Sequence, residues 1–269
     1  MYLPLTLTDG TAPGLSAISA ATVTGTVSGF GAAIGVSDFI VMTAVSDVVR
    51  GAVFELSKGM ALAIDQKIRA TLSNFGQQLP AGNTAIANSL NIQTNSLIRV
   101  KDLMRATAKL RQSDARTWPD GCYAAVAHPR VAFDIRNDQS VSGAGWIDIN
   151  KYASNQTVDL IYRGEVGKVA GVRVVESSDG KQMFGANNAA GAGLSAVASG
   201  FMTYVIGPGA YGVVELDGAA ASVFVKQVGS AGSADPLNQK GSVGVKVYFT
   251  PVQLEAARMV RITSGGRTL

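Results

Sequence analysis

Side-chain chemistry has little to draw on here: the chain of 269 residues holds one cysteine, Cys122, one histidine, His128, and two tryptophans. A lone cysteine excludes a disulfide within the chain. A zinc site needing three or four ligands finds only these two nitrogen and sulfur donors. They do not make a nucleophile and base either, because six residues along one strand span about 20 Å at 3.3 Å per residue. His128 is expected instead as a polar group pairing near a strand-to-helix turn. No G-x-S-x-G elbow is present to aim a serine. The sequence GEVGK at 164–168 is too short for a phosphate-binding loop, and Val169 follows it. Gly191, Gly193 and Ala196 match the loose G-x-G-x-x-A pattern, but residues 187–190 before them do not read as the strand it requires. No catalytic residue, metal or cofactor is expected, and an enzyme of unidentified type stays only as the alternative from another class.

Charge is also sparse. Charged residues make up 16% of the chain against 47% apolar ones, and the net charge is +4. A dedicated DNA binder concentrates far more Lys and Arg, so this balance permits contact with nucleic acid without requiring it. Residues 10–37 carry no charge at all and few large side chains. Thr, Ser and Gly dilute this run too much for a membrane span, and no membrane partner is expected. No basic leader with a short apolar core opens the chain, so no signal peptide is expected. Residues 22–27 alternate Thr with Val or Gly, which favours extended chain over helix. Such a neutral ribbon packs poorly on its own core and is a hazardous free edge, so it is expected to lie on a neighbouring subunit.

Periodicity supplies the regular elements. Asp47 is placed to cap a helix running to about Asn74, with Gly76 just beyond its end. Val49, Val53, Leu56, Met60, Ile64, Ile68 and Leu72 form one apolar stripe on it, over a length of roughly 40 Å. Residues 75–96 are polar and rich in Asn, Gln and Gly, which reads as a surface loop. A second helix is expected over 100–112. Lys101, Arg105 and Lys109 fall one turn apart on it, with Arg99, Arg111 and Arg116 nearby. They are either a stripe facing nucleic acid through phosphate attraction or a solvated face partly neutralised by Asp102 and Asp114. Further on, 187–200 reads as a loop, 201–206 and 222–228 as strands, and GPGAYG between them as a turn. Val243, Val245, Val247 and Phe249 alternate with Gly244, Lys246 and Tyr248 in the clearest half-buried strand. Residues 259–263 are expected to pair beside it.

The stretch 118–178 organises the rest. Its first part, WPDGCYAAVAHPRVAFDIRND, holds a short apolar strand at 122–127 and then a helix opened by Pro129, with Val131 and Ile135 one turn apart. Its second part, WIDINKYASNQTVDLIYRGEVGKVAGVRVVESSD, brings Trp146 and Tyr152, which either anchor a subunit contact or fill a core, and then a strand at 172–175 entered through glycine turns. This order of strand, helix, tryptophan loop and second strand, with a long helix upstream and ADPLNQKGSVGVKVYF downstream, resembles one family of tailed-phage major capsid proteins with the Hong Kong 97 type fold.

That resemblance implies an α+β capsid fold. Residues 1–41 would supply part of an extended loop, without an N-terminal arm. Residues 42–96 and 236–269 would form a peripheral domain on a spine helix at about 47–74, and 97–235 an axial domain. The implied function is self-assembly into pentamers and hexamers of an icosahedral head enclosing double-stranded DNA. Portal, scaffold or decoration proteins would be partners, the virion the location, and the host cytoplasm the place of assembly. A nanocompartment shell of the encapsulin kind is the alternative on the same fold. The founding phage of this fold cross-links its subunits through a loop lysine. Here the first lysine is Lys58, inside the expected helix, so a shell without covalent cross-links is expected.

Overall fold

A computed structural model describes residues 22–83, 96–138, 165–180, 182–183, 200–216, 221–230 and 235–265. In chain order the elements are β1 (Ser28–Ser37), α1 (Asp38–Thr43), α2 (Val48–Leu72), β2 (Gln77–Pro80), α3 (Val100–Gln112), β3 (Tyr123–Ala127) and α4 (Pro129–Arg136). There follow β4 (Glu165–Val169), β5 (Val172–Glu176), β6 (Gln182–Met183), β7 (Gly200–Ile206), β8 (Tyr211–Glu215), β9 (Ser222–Lys226), β10 (Lys240–Gln253) and β11 (Met259–Gly265). Two sheets result. One has four strands in the order β1-β10-β8, with β9 also on β10; the other has seven, in the order β2-β11-β7-β3-β5-β4, with β6 on β7.

The long helix forms as its stripe requires. The Asp47 carboxylate accepts the Arg50 N–H at 3.1 Å, satisfying one of the first-turn donors, and beyond the Ser73 cap Gly76 turns the chain with φ of +79°. Its apolar face then divides between the two sheets. Leu56 and Met60 pack with Val243, Val245, Val247 and Phe249 on the four-stranded sheet, while Leu72 packs with Tyr204, Ala210 and Met259 beside the seven-stranded one.

The main core lies in the seven-stranded sheet. Val100, Leu103, Ala106 and Leu110 recur every three or four positions along α3 and are fully buried there, with Val131 and Ile135 of α4 and Phe201, Val205, Val260 and Ile262 of the strands. Parallel β3 and β5 lie side by side, and β4 returns on β5 through the two-residue turn Ala170–Gly171. Both turn residues have positive φ, 55° and 76°, matching the twist of the hairpin they close. Thr107 Oγ1 donates to the Ala170 carbonyl at 3.0 Å and fixes that turn to α3.

Three sequence expectations are corrected. Residues 259–263 do not lie beside the Val243–Phe249 strand: β11 runs antiparallel to β7 and parallel to β2 in the other sheet. A short apolar alternation records which side chains are buried but not which sheet buries them. Residues 77–80, expected as loop, form β2, with Leu79 buried and polar Gln77 and Gln78 half-buried around it. Finally, much of the neutral ribbon lies on its own chain, where all ten residues of β1 pair with β10. Its glycines make this possible: a Cβ on Gly29 would stand 2.7 Å from the Tyr248 ring, and one on Gly31 would stand 3.1 Å from the Val245 carbonyl oxygen. Residues 22–27, expected as extended chain, form no strand, and a Cβ on Gly25 would stand 2.5 Å from the Val252 side chain of β10.

The sheets interleave along the chain. β8 and β9 come from within 97–235 yet pair with β10, whereas β2 and β11 come from the flanking segments yet belong to the seven-stranded sheet.

Candidate functional site

The basic helix is less free than its spacing suggests. Asp102 is buried at the start of α3 and accepts N–H groups from Arg99 at 3.1 Å and from Gly82 at 3.3 Å. Arg105 pairs with the same carboxylate at 3.2 Å. Lys109 Nζ donates to the Gln78 carbonyl at 3.4 Å, so it is held toward β2. Lys101 is exposed and has no hydrogen-bond or ionic partner among the described residues. Trp146, Tyr152, the G-x-G-x-x-A residues Gly191, Gly193 and Ala196, the expected loop at 187–199 and ribbon residues 10–21 lie outside the described residues.

His128 stands where its strand-to-helix position implies. It is the N-cap of α4, with Nδ1 accepting the Arg130 N–H at 3.2 Å and the ring 4.7 Å from that of Phe201. Burial, and then the nearby Arg130 cation, hold its pKa below the ordinary value. The five-residue strand β3 separates it from Cys122. Among the described residues no group of three His, Cys, Asp or Glu could hold a metal, and no helix is long and apolar enough to cross a membrane.

A cleft of about 280 Å³ opens where α2 crosses the seven-stranded sheet, lined by Ile68, Leu72, Met202, Tyr204 and Tyr211. Arg69 and Asp179 bridge it with an ion pair at 2.9 Å. The Arg261 guanidinium donates to the Ser73 carbonyl and so ties β11 to the end of α2. Burial pushes the Tyr204 phenol up to about 12, so it remains protonated, its hydroxyl 3.7 Å from Met202 sulfur. These contacts fasten the helix to the sheet.

Large apolar side chains are exposed at the margins of the four-stranded sheet. α1 follows β1 directly and buries none of its residues: Phe39 is 71% and Met42 80% exposed. The Ser37 hydroxyl, 3.4 Å from the Ile40 N–H, and the Asp38 carboxylate, 2.7 Å from the Phe39 N–H, hold this short helix. Across the sheet, β9 exposes Val223, Phe224 and Val225, and β8 exposes Val213 and Val214. Sequence reasoning missed α1, although the dipeptide Ser37-Asp38 before the run Phe39–Met42 is a helix-start signal.

This geometry, a long helix shared by a four-stranded and a seven-stranded sheet, defines a shell subunit of the Hong Kong 97 type. The chain belongs to the phage capsid protein family, whose model matches residues 20–262. Its role is that of a major capsid protein, a structural subunit that associates with itself into shells and resides in the virion. No curated protein matches the chain. Among solved structures, the capsid of Ralstonia phage GP4 is similar with a TM-score of 0.64 at 10% identity, covering 90% of this chain and 74% of that one. The capsid asymmetric unit of cyanophage Pam1 gives 0.62 at 15% identity, covering 89% and 75%. The SrpI encapsulin complex from Synechococcus elongatus PCC 7942 gives 0.51 at 11% identity, covering 88% and 73%. At these identities the likeness is one of fold, and the family match is what favours a phage head over a nanocompartment.

Proposed function

We propose that copies of this chain form pentamers and hexamers of an icosahedral head assembled in the host cytoplasm around double-stranded DNA. The four-stranded sheet with the first turns of α2 serves as the peripheral domain and the seven-stranded sheet as the axial domain. The observation that carries this reading is the row of exposed apolar side chains at both margins of the peripheral sheet, on α1 and on β8 and β9. Exposed apolar clusters of this kind mark surfaces that other chains cover. Lys101, with Arg105 and Lys109 behind it, supplies a weak phosphate-facing charge that holds DNA without reading bases. Portal, scaffold or decoration proteins complete the head. No enzymatic step is assigned to the chain.

Lys58 lies exposed within α2 rather than on the β1 ribbon, and shell subunits are expected to join without an amide bond from that lysine. Negative-stain microscopy of the purified full chain tests the reading: rings or closed shells are expected, and only monomers at high concentration would overturn it. Boiling those shells in detergent should release single chains.

A further inference from the structure

We infer that shell subunits join head to tail, with the α1 segment of one copy docked on the β9 edge of the next; this rests on the self-association proposed above. The register of β10 fixes the geometry. Residues 242–246 of β10 pair with β9 on one side and with residues 31–35 of β1 on the other, so β1 and β9 are opposite edges of one sheet. α1 continues from the end of β1 without an intervening residue. The chain therefore carries two exposed apolar surfaces on opposite sides of the same element.

Each surface lacks what would keep it solitary. Edge strands that stay single are blunted by charge, proline or a bulge, whereas β9 has the sequence SVFVK, with Lys226 as its one charge and Phe224 half exposed. α1 and the turn after it display Phe39, Met42 and Val45 with nothing of their own chain burying them among the described residues. Charge selects between the ways of pairing them. Residues 37–49 contain Asp38 and Asp47 and no Lys or Arg. Lys226 lies opposite Ser242, and Ser242 opposite Gly35, three residues or about 10 Å of strand short of Asp38, so Lys226 sits toward the same end of the sheet. A neighbour displaced across the strands brings Lys226 against that acidic start. Two-fold pairing of α1 with α1 would instead set acidic segment against acidic segment. A head-to-tail contact whose rotation closes generates a ring, which is the form a capsomer requires.

The test uses the purified full chain and reads the concentration at which rings or shells appear, by sedimentation with microscopy. Met42→Glu and Val225→Lys should each raise that concentration by about tenfold or more, and the double variant should recover most of the loss by pairing the new charges across the contact. Both positions are exposed in the single subunit, so its circular dichroism and melting should not change. In a Cys122→Ser background, oxidation of shells carrying Met42→Cys with Val225→Cys should give a ladder of linked subunits. Single variants that assemble at the wild-type concentration, or a cross-link confined within one chain, would overturn the docking while leaving self-association intact. Wild-type chain that never assembles would overturn both.

Discussion

The two sheets differ in how they treat apolar side chains. In the seven-stranded sheet, Phe201, Val205, Val260 and Ile262 are fully buried between strands and helices of the same chain. In the four-stranded sheet, α2 covers one row on β10, while Phe39, Met42 and Phe224 at the margins remain outside. The first arrangement stabilises a subunit. The second leaves binding surface for other copies, at the cost of a less complete core.

That contrast can be broken most directly by a pair of phenylalanine truncations. Phe201→Ala should cost the unassembled subunit about 3–5 kcal/mol in urea unfolding, because a buried ring leaves a cavity. Phe39→Ala should change the same measurement by less than about 0.5 kcal/mol, since it removes an exposed ring. Equal losses would mean that α1 belongs to the subunit core. Next in size is Gly76→Ala, at the junction where α2 hands the chain to β2. Its φ of +79° and a Cβ only 2.8 Å from the Met259 carbonyl oxygen should together cost about 1–2 kcal/mol or more.

The smallest effect is that of acid on the seven-stranded side. The folded pKa of His128 lies below its unfolded value, so its contribution is complete above about 6.5 and is lost as pH falls from there through the folded pKa. Protonation of Nδ1 also removes the acceptor for the Arg130 N–H. His128→Asn keeps a cap and should flatten the dependence of unfolding free energy on pH in that window. An unchanged slope would place the titrating group elsewhere.

Local elements were legible because local chemistry writes them. Asp47 and Gly76 bracket α2, the apolar spacing of α3 marks residues 100–112, and Pro129 opens α4, each within two residues of the observed bounds. Pairing across the chain was not. Nothing in the side chains of 259–263 distinguishes β7 from β10 as a partner, because either strand offers backbone N–H and C=O groups for a ladder. β2 was hidden by its glutamines, since its place in the sheet comes from backbone hydrogen bonds that any residue can make. The small, uncharged residues of 28–37 pointed to a partner on a neighbouring subunit, whereas the strand they meet comes from the same molecule. At the candidate site, the one-turn spacing of Lys101, Arg105 and Lys109 was plain, and Asp102 was recognised as a neutralising group. That it is buried, collecting Arg99, Gly82 and Arg105 around a single carboxylate, depends on where 81–83 falls in space.

The 25 residues of α2 make a stiff rod about 37 Å long, held at one end by the four-stranded sheet and at the other by Arg69, Leu72 and the Ser73 carbonyl. A rod clamped at both ends behaves as a lever. Torque delivered at the sheet margins by neighbouring subunits must reach the far sheet as a tilt of the whole helix, because a hydrogen-bonded helix bends far less readily than a loop.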